Sequence, residues 1–352
     1  MSARPPATPP RSAADSAKIG TIAAVLVSWR DADELEEAVR SLAACRAGSA
    51  RRDLNILVIA VGNGRESVRE ERIRALWPDA VILVNPENRG LGPAANQGAA
   101  AAKGADVLLF LNPDTRGEGD PFAAIAQGFE EHPEAAALAP RLVDTAPGEP
   151  PVGRRPLAPP GNEDQFTFQL RRLPRLASDA RELLLGEHLR PDGARRRYAR
   201  YADENRERPF AVEQAAAAAL AVRRRAFDSV GGFDESFVPA WFEDVDLCAR
   251  LAAEGSILYW PAARFRHAGG VSSARLGYDR FLPILYRNSL RYRRKHYSRP
   301  ARAAYRALLV VGMLLRLAAL PLRREVPRSK AGAARAYAAV LMLAFGLRRG
   351  SR

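Results

Sequence analysis

Four apolar runs in the first third of the chain, separated by stretches at helical spacing, restrict the fold more than any other feature. Ile22 to Val27 precedes Ala32 to Ala44, and Leu54 to Val61 precedes the charged stretch Glu66 to Leu76. Val81 to Val84 precedes the Ala-rich Pro93 to Lys103, and Val107 to Leu111 is the fourth run. Short apolar runs alternating with helical patterns predict a parallel sheet joined by crossover helices. In such sheets ligands bind beyond the carboxyl ends of the strands. Attention therefore falls on Ser28-Trp29, Gly62-Asn63-Gly64, Asn85 to Gly92 and Asn112-Pro113-Asp114. The last three are rich in Gly, Asn or Asp, as a cradle for a polar ligand would be. The dinucleotide fingerprint GxGxxG is missing after the first run, where Val27-Ser28-Trp29-Arg30 stands, and no P-loop occurs. That argues against a nicotinamide or flavin enzyme.

With 352 residues, 47% of them apolar and 27% charged, the chain is globular and long enough for a well-buried core. Its charge is unevenly placed. Arg275 to Arg352 holds 19 basic and two acidic residues, a surplus larger than the +14 of the whole chain. A basic tail on a near-neutral body predicts an anionic partner surface, lipid or nucleic acid. Cys45 and Cys248 have no CxxC neighbour, so neither a disulfide framework nor a cysteine zinc site is expected. Residues 1–18 read as a disordered Pro/Ala/Ser tail, without the apolar core of a signal peptide. Residues 19–145 form the first half of an α/β domain. The Pro- and Arg-rich stretch 146–210, with one short helical piece at Ala177 to Leu189, reads as a loop or lid. Residues 211–277 complete the domain with a helix over Asp244 to Ala253 and a strand pair around Ile257 to Trp260 and Arg264 to His267. Residues 278–352 read as helices. The apolar stretches Ala307 to Leu320 and Ala336 to Leu347 are too short to span a membrane comfortably. They suit interfacial helices on anionic lipid or helices packed on the domain with a solvated basic face. Apolar content of this kind fits lipid better than nucleic acid, and no nucleic-acid partner is expected.

Several residue groups carry chemistry. Asp114, just past the fourth run, can hold a divalent ion against phosphate oxygens, although Asn-Pro-Asp-Thr is also a good turn former. Phe242-Glu243-Asp244-Val245-Asp246-Leu247 sets three carboxylates in one first helical turn beside Trp241. Capping and the helix dipole explain one or two of these, and a third is available as a general base. A lone histidine is more often structural than a ligand, but His267 ends an apolar strand and precedes Ala268-Gly269-Gly270, a placement that adds weight to metal ligation. Arg89, within Asn88-Arg89-Gly90-Leu91-Gly92, is placed to meet phosphate or carboxylate.

The order of these elements resembles the family 2 glycosyltransferases of the GT-A fold, in particular the bacterial rhamnosyltransferase-like group. The resemblance runs from about Ile22 to Tyr297. It is carried by Asn88 to Gly98 with Gly90, Gly92 and Asn96, and by Leu111-Asn112-Pro113-Asp114 in the place of a DxD element. Further on it is carried by Arg223-Arg224 through Gly231-Gly232-Phe233-Asp234-Glu235 to Phe242-Glu243-Asp244-Val245-Asp246-Leu247-Cys248, and by Pro261 to His267. The resemblance implies a mostly parallel, Rossmann-like sheet with flanking helices and a C-terminal helical extension. It implies that Asp114 and His267 hold Mg²⁺ or Mn²⁺ on the diphosphate of a nucleotide-sugar. Ser28, Trp29, Asn63, Arg89, Gly90, Asn96 and Asn112 would surround that donor. Asp244 would be the base for an acceptor hydroxyl, Glu243 would hold hydroxyls, and Trp241 and Asp246 would belong to the acceptor or sugar pocket, Asp246 orienting the helix.

Two positions depart from the family pattern. Gly62 stands where the family has an aspartate that contacts the nucleotide base, leaving Asn63, backbone groups and Trp29 for that task. Ala215 to Ala219 stands where a glycine is expected before the Arg pair. The resulting expectation is an inverting, metal-dependent transfer of a sugar, rhamnose from dTDP-rhamnose, to a lipid-linked glycan in cell-envelope polysaccharide synthesis. The enzyme would sit on the cytoplasmic face of an anionic membrane. The alternative is a non-catalytic family member, a membrane-associated sugar-nucleotide binder or partner protein.

Overall fold

The computed structural model describes residues 18–143, 165–184, 201, 204–268, 277–322 and 329–347. The expected tail before Lys18, most of the expected lid and the Gly269-Gly270 pair lie outside the described residues. The first half alternates strand and helix: β1 (Thr21–Ser28), α1 (Ala32–Gly48), β2 (Asn55–Asn63), α2 (Glu70–Leu76), β3 (Val81–Asn85), α3 (Leu91–Ala101) and β4 (Val107–Leu111). Then follow β5 (Thr115–Glu118), α4 (Pro121–Glu131) and β6 (Ala135–Val143). Three short elements, α5 (Phe166–Gln169), β7 (Leu170–Arg171) and α6 (Leu176–Leu183), come next. The second half holds β8 (Phe210–Val212), β9 (Gln214–Ala215), β10 (Ala219–Arg223), α7 (Arg224–Ser229), α8 (Glu243–Leu251) and β11 (Ser256–His267). Three helices close the chain: α9 (Tyr278–His296), α10 (Arg299–Ala319) and α11 (Lys330–Ala344).

The main sheet runs β3-β2-β1-β4-β10-β6-β11-β5, with β8 added beside β11. It is parallel from β3 to β4, and β10 enters antiparallel between β4 and β6. Alternate residues of β1 serve opposite layers, as strand geometry requires. Ile22, Ala24 and Leu26 pack under α1 and α4 with Leu35, Val39, Phe122 and Phe129. Ala23, Val25 and Val27 pack under α3 and α8 with Ala94, Ala95, Leu247 and Leu251. α3 approaches the sheet so closely that a Cβ at Gly98 would lie 2.5 Å from Val25 Cγ1. A third apolar cluster joins α6, α9, α10 and α11 through Leu183, Tyr286, Leu309, Met313, Tyr337 and Val340.

Three expectations change. The stretch Glu66 to Leu76 is not one helix: a 3₁₀ turn at Arg65–Ser67 ends at Val68, which is extended and packs over Gly62. The expected strand pair before His267 is the single strand β11, whose register against β6 shifts between Trp260 and Arg264. Pro261 in that step has no N–H to give to a ladder. The described part of the expected lid is built into the fold, because β7 pairs with β9 and α6 packs on α10.

Candidate active site

β5 leaves the turn after β4 and pairs with β11 so that His267 lies opposite Thr115. This register sets the two expected metal ligands side by side, Asp114 Oδ1 and His267 Nε2 being 3.3 Å apart. Both residues are buried, and the Asp114 carbonyl accepts the Ala268 N–H. Asn112 Nδ2 also faces His267 Nε2 at 3.4 Å. On the far side of the ring, His267 Nδ1 donates to Gln165 Oε1 at 2.7 Å, while Gln165 Nε2 donates to the His267 carbonyl. A proton held on Nδ1 leaves the Nε2 lone pair facing Asp114, the arrangement that metal-bound histidines share. Among the described residues no group of three or more His, Cys, Asp or Glu side chains is placed to hold a metal. A carboxylate oxygen and an imidazole nitrogen form a donor set that fits a Mg²⁺ or Mn²⁺ ion completing its shell with phosphate oxygens and water.

The expected donor residues divide into two kinds. Ser28 ends β1 with its buried hydroxyl lacking a partner, and half-buried Trp29 follows it, with Arg30 stacked 5.2 Å from its ring centre. Arg89 is exposed, and Gly90 has φ +95°, with Val238 Cγ1 2.7 Å from where a Cβ would be. By contrast, the Asn63 amide is fully engaged by the fold. It donates to Asn88 Oδ1 and the Gly90 carbonyl and accepts from the Arg89 N–H and Asn85 Nδ2. An amide has two donors and one oxygen with two lone pairs, so Asn63 braces the 88–90 loop and has nothing left for a base. Asn96 likewise clamps the Gly231–Glu235 turn, bonding Phe233 N–H and C=O and Glu235. Gly62 is locked in place: a Cβ there would meet Val68 Cγ2 at 2.9 Å.

The acceptor-side carboxylates begin α8. Trp241 and Phe242 both adopt φ +74°, turning the chain sharply so that Glu243 and Asp244 open the helix. Asp244 accepts the N–H groups of Val245 (2.8 Å) and Ala217 (3.4 Å), the latter within the alanine run. Burial raises the Asp244 carboxyl above the ordinary range, opposed by those N–H groups and by the charge of Arg171. Glu243 is buried, and its Oε2 has no hydrogen-bond partner. Burial, then the neighbouring Asp244, push its carboxyl well above the ordinary range. Two coupled acids in unequal surroundings divide the protons unequally. Of the two, Asp244, with its two N–H donors, is the better-supported site for the negative charge.

Asp246 corrects an expectation. It faces away from the cavity and is clasped by Arg250, Lys295 and His296 at 2.8, 2.9 and 2.7 Å. Burial would raise its carboxyl, but His296, Lys295 and Arg250 hold it below the usual range. It therefore ties α8 to α9 and is no part of a sugar pocket. Sequence reasoning also missed Asn288 on α9. Fully buried, it donates to the carbonyls of Ala240 (2.8 Å), Trp241 (3.0 Å) and Val238 (3.4 Å). Residues 278–296 thus pack on the segment that leads into Glu243 and Asp244. A buried amide beside Tyr286, Ser289 and Tyr292 was a readable signal. Gln165 gave none.

A cavity of about 430 Å³ opens against Trp241, Glu243 and Asp244. Phe168 joins it to the His267 corner, the two rings stacking at 6.0 Å. A hollow of about 400 Å³ beside Arg46 and Trp77 lies at the amino end of β2, away from these groups.

Residues 24–179 match the model of glycosyl transferase family 2. An N-acetylglucosaminyl-diphospho-decaprenol L-rhamnosyltransferase of Mycobacterium tuberculosis is 26% identical over 262 residues, 71% of this chain and 77% of that protein. A pre-mycofactocin glycosyltransferase of the same species is 26% identical over 63% of this chain and 39% of its own length. In structure the chain is similar to GalNAc-T7, crystallised with UDP, GalNAc and Mn²⁺. That match has a TM-score of 0.55 and 16% identity, and covers 82% of this chain and half of the other. It is also similar to the mannosyltransferase PcManGT of Pyrobaculum calidifontis in complex with GDP-Man and Mn²⁺, at TM-score 0.51 and 12% identity, covering 95% and 88%. The fold is GT-A. The segment that matches the family 2 model includes β1 to β4 and the Asn112–Asp114 turn that meets His267, so the chain is similar to family 2 in the half that carries this corner of the site.

Proposed function

We propose that this enzyme moves a sugar, rhamnose from dTDP-rhamnose, from a nucleoside diphosphate to a hydroxyl of a lipid-linked glycan of the cell envelope, inverting the anomeric carbon. The observation that carries this reading is the Asp114–His267 pair at 3.3 Å, bridged by Phe168 to the cavity that holds Asp244. The name of the mycobacterial relative supports rhamnose and a lipid-diphosphate acceptor. Asp114 and His267 would hold Mg²⁺ or Mn²⁺, which when bound offsets the charge gathering on the departing diphosphate. Asp244 takes the acceptor O–H proton while the new C–O bond forms and the bond to the diphosphate breaks. Its carboxylate is oriented by the Val245 and Ala217 N–H groups. Protonated Glu243 offers its otherwise unpartnered Oε2 edge to a sugar hydroxyl.

Peripheral attachment to the cytoplasmic face of an anionic membrane is part of the same reading. No described helix is long and apolar enough to cross a membrane. α10 instead exposes Val311, Leu314 and Leu315 (45, 53 and 40%) in the strongly basic part of the chain. Replacing these three by serine is expected to release the protein from phosphatidylglycerol vesicles, and undiminished binding would refute the attachment.

Calorimetric titration with dTDP, UDP and GDP, with and without Mn²⁺, tests the central reading. Metal-dependent binding of one nucleotide, weakened at least tenfold by Asp114→Ala or His267→Ala, is expected. Folded protein that binds none of them would favour the non-catalytic alternative.

A further inference from the structure

We infer that the cavity beside Asp244 is the seat of an amphiphilic acceptor, with an isoprenoid stem against α6 and α9 and its diphosphate against Arg171 and Arg172. This rests on the transferase reading and goes beyond it by assigning where the lipid sits. Ring and side-chain contacts trace a path outward from the Asp114–His267 corner. His267 stacks on Phe168, Arg171 lies over the Phe168 ring at 5.5 Å, and Arg171 is close enough to Asp244 to favour its anion. Trp241, on the same wall as Asp244, packs edge-on against Phe281 of α9 at 4.8 Å. Beyond Phe281 the lining passes to Leu285, Tyr286 and Leu183. The last two belong to the apolar cluster that holds α10 and α11, the helices of the basic region.

The chemistry of the walls selects the occupant. Several polar groups in the floor are satisfied by one another, although the Glu182 carboxylate also lines the cavity. Arg293 forms a two-point ion pair with Asp179, Tyr297 donates to the same carboxylate, and the Ser289 and Tyr305 hydroxyls bond each other. They offer nothing to a polar guest, whereas the aromatic and leucine surfaces offer apolar contact. Arg171 and Arg172, both largely exposed, have no carboxylate partner among the described residues, Arg171 donating only to the Phe168 carbonyl. Two exposed guanidinium groups without a carboxylate partner, between Asp244 and an apolar slot, suit a diphosphate that links a sugar to a hydrocarbon.

Farnesyl diphosphate is the probe, measured by equilibrium dialysis in EDTA so that metal-dependent diphosphate binding is silent. The wild-type protein is expected to bind it at least tenfold more tightly than inorganic diphosphate or farnesol. Arg171→Gln with Arg172→Gln should weaken it tenfold or more, and Leu285→Trp should do the same by filling the slot. Leu285→Ser, which opens the slot, guards against a misfolded tryptophan variant and should also weaken binding. Equal binding of inorganic diphosphate or farnesol would overturn the inference, as would indifference to both Leu285 variants. Mn²⁺-dependent nucleotide binding is measured in parallel. If it persists while farnesyl diphosphate does not bind, this inference alone falls; if both fail, the transferase reading falls with it.

Discussion

Asn288 lies 44 residues after Asp244, in a helix that sequence patterning assigned to a tail, yet it braces the backbone from which Glu243 and Asp244 project. Its Nδ2 serves the carbonyls of Ala240 and Trp241 at 2.8 and 3.0 Å from a fully buried position. Asn288→Ala removes both bonds and leaves those oxygens facing an empty methyl-sized space. Each part-buried acceptor left without a donor costs about 1–3 kcal/mol, so a loss of about 2–6 kcal/mol is expected. The same bonds hold Trp241 and Phe242 at φ +74°, a conformation that costs non-glycine residues of order 1 kcal/mol each. Once released, the turn relaxes, and Glu243 and Asp244 move with it. A shift of about 1 Å in a base is enough to reduce turnover about a hundredfold. Asp114 and His267 stand on other strands, so nucleotide binding should be unchanged. Urea denaturation, with the slope checked for constancy, gives the stability, and single-turnover kinetics gives the rate. An Asn288→Ala protein within about 0.5 kcal/mol of wild type, with turnover within about twofold of it, would refute the reasoning.

Asp244→Asn should reduce turnover about 10²–10⁴-fold while Mn²⁺-dependent nucleotide binding persists; near-normal turnover would place the base elsewhere. Glu243→Gln should flatten the pH dependence of stability. The folded state favours the protonated acid, so wild-type stability falls as pH climbs from the ordinary carboxylate range through the raised value of Glu243. Thermal melts from pH 4 to pH 8 should therefore show the variant gaining on wild type toward high pH, and parallel curves would contradict this. Gly98→Ala should cost about 1–3 kcal/mol, because its Cβ would lie 2.5 Å from Val25 Cγ1 and 3.1 Å from Val61 Cγ2. Unchanged denaturation would mean that α3 can lift from the sheet freely.

Sequence patterning located β1 to β4, the Asn112–Asp114 turn, His267 and the Glu243-Asp244 pair. These are either local periodicities or polar residues at the ends of apolar runs. It erred where one residue type serves two purposes. Asn63 and Asn96 stand where donor contacts were expected, yet each amide is engaged by a neighbouring loop. Asp246 shares a helical turn with Asp244 but points to Lys295 and His296. Arginine-rich composition suggested that residues 278–296 lie apart, whereas Asn288 and this ionic clasp join them to the site.

Alternation of apolar run and helix, by itself, determined a parallel α/β core and the edge on which chemistry would gather, because strand and helix periods are properties of neighbouring residues. Tertiary structure decided which carboxylates line the cavity and which are tied to neighbouring cations. It also decided which nitrogen of His267 faces Asp114, and that α6 and α9 wall the cavity beside Asp244. Those outcomes depend on partners distant in the sequence, from about 50 residues for Asp246 and His296 to more than a hundred for His267 and Gln165 or Arg293 and Asp179. Such pairings arise from burial and the need to satisfy each buried polar group, which no local spacing encodes.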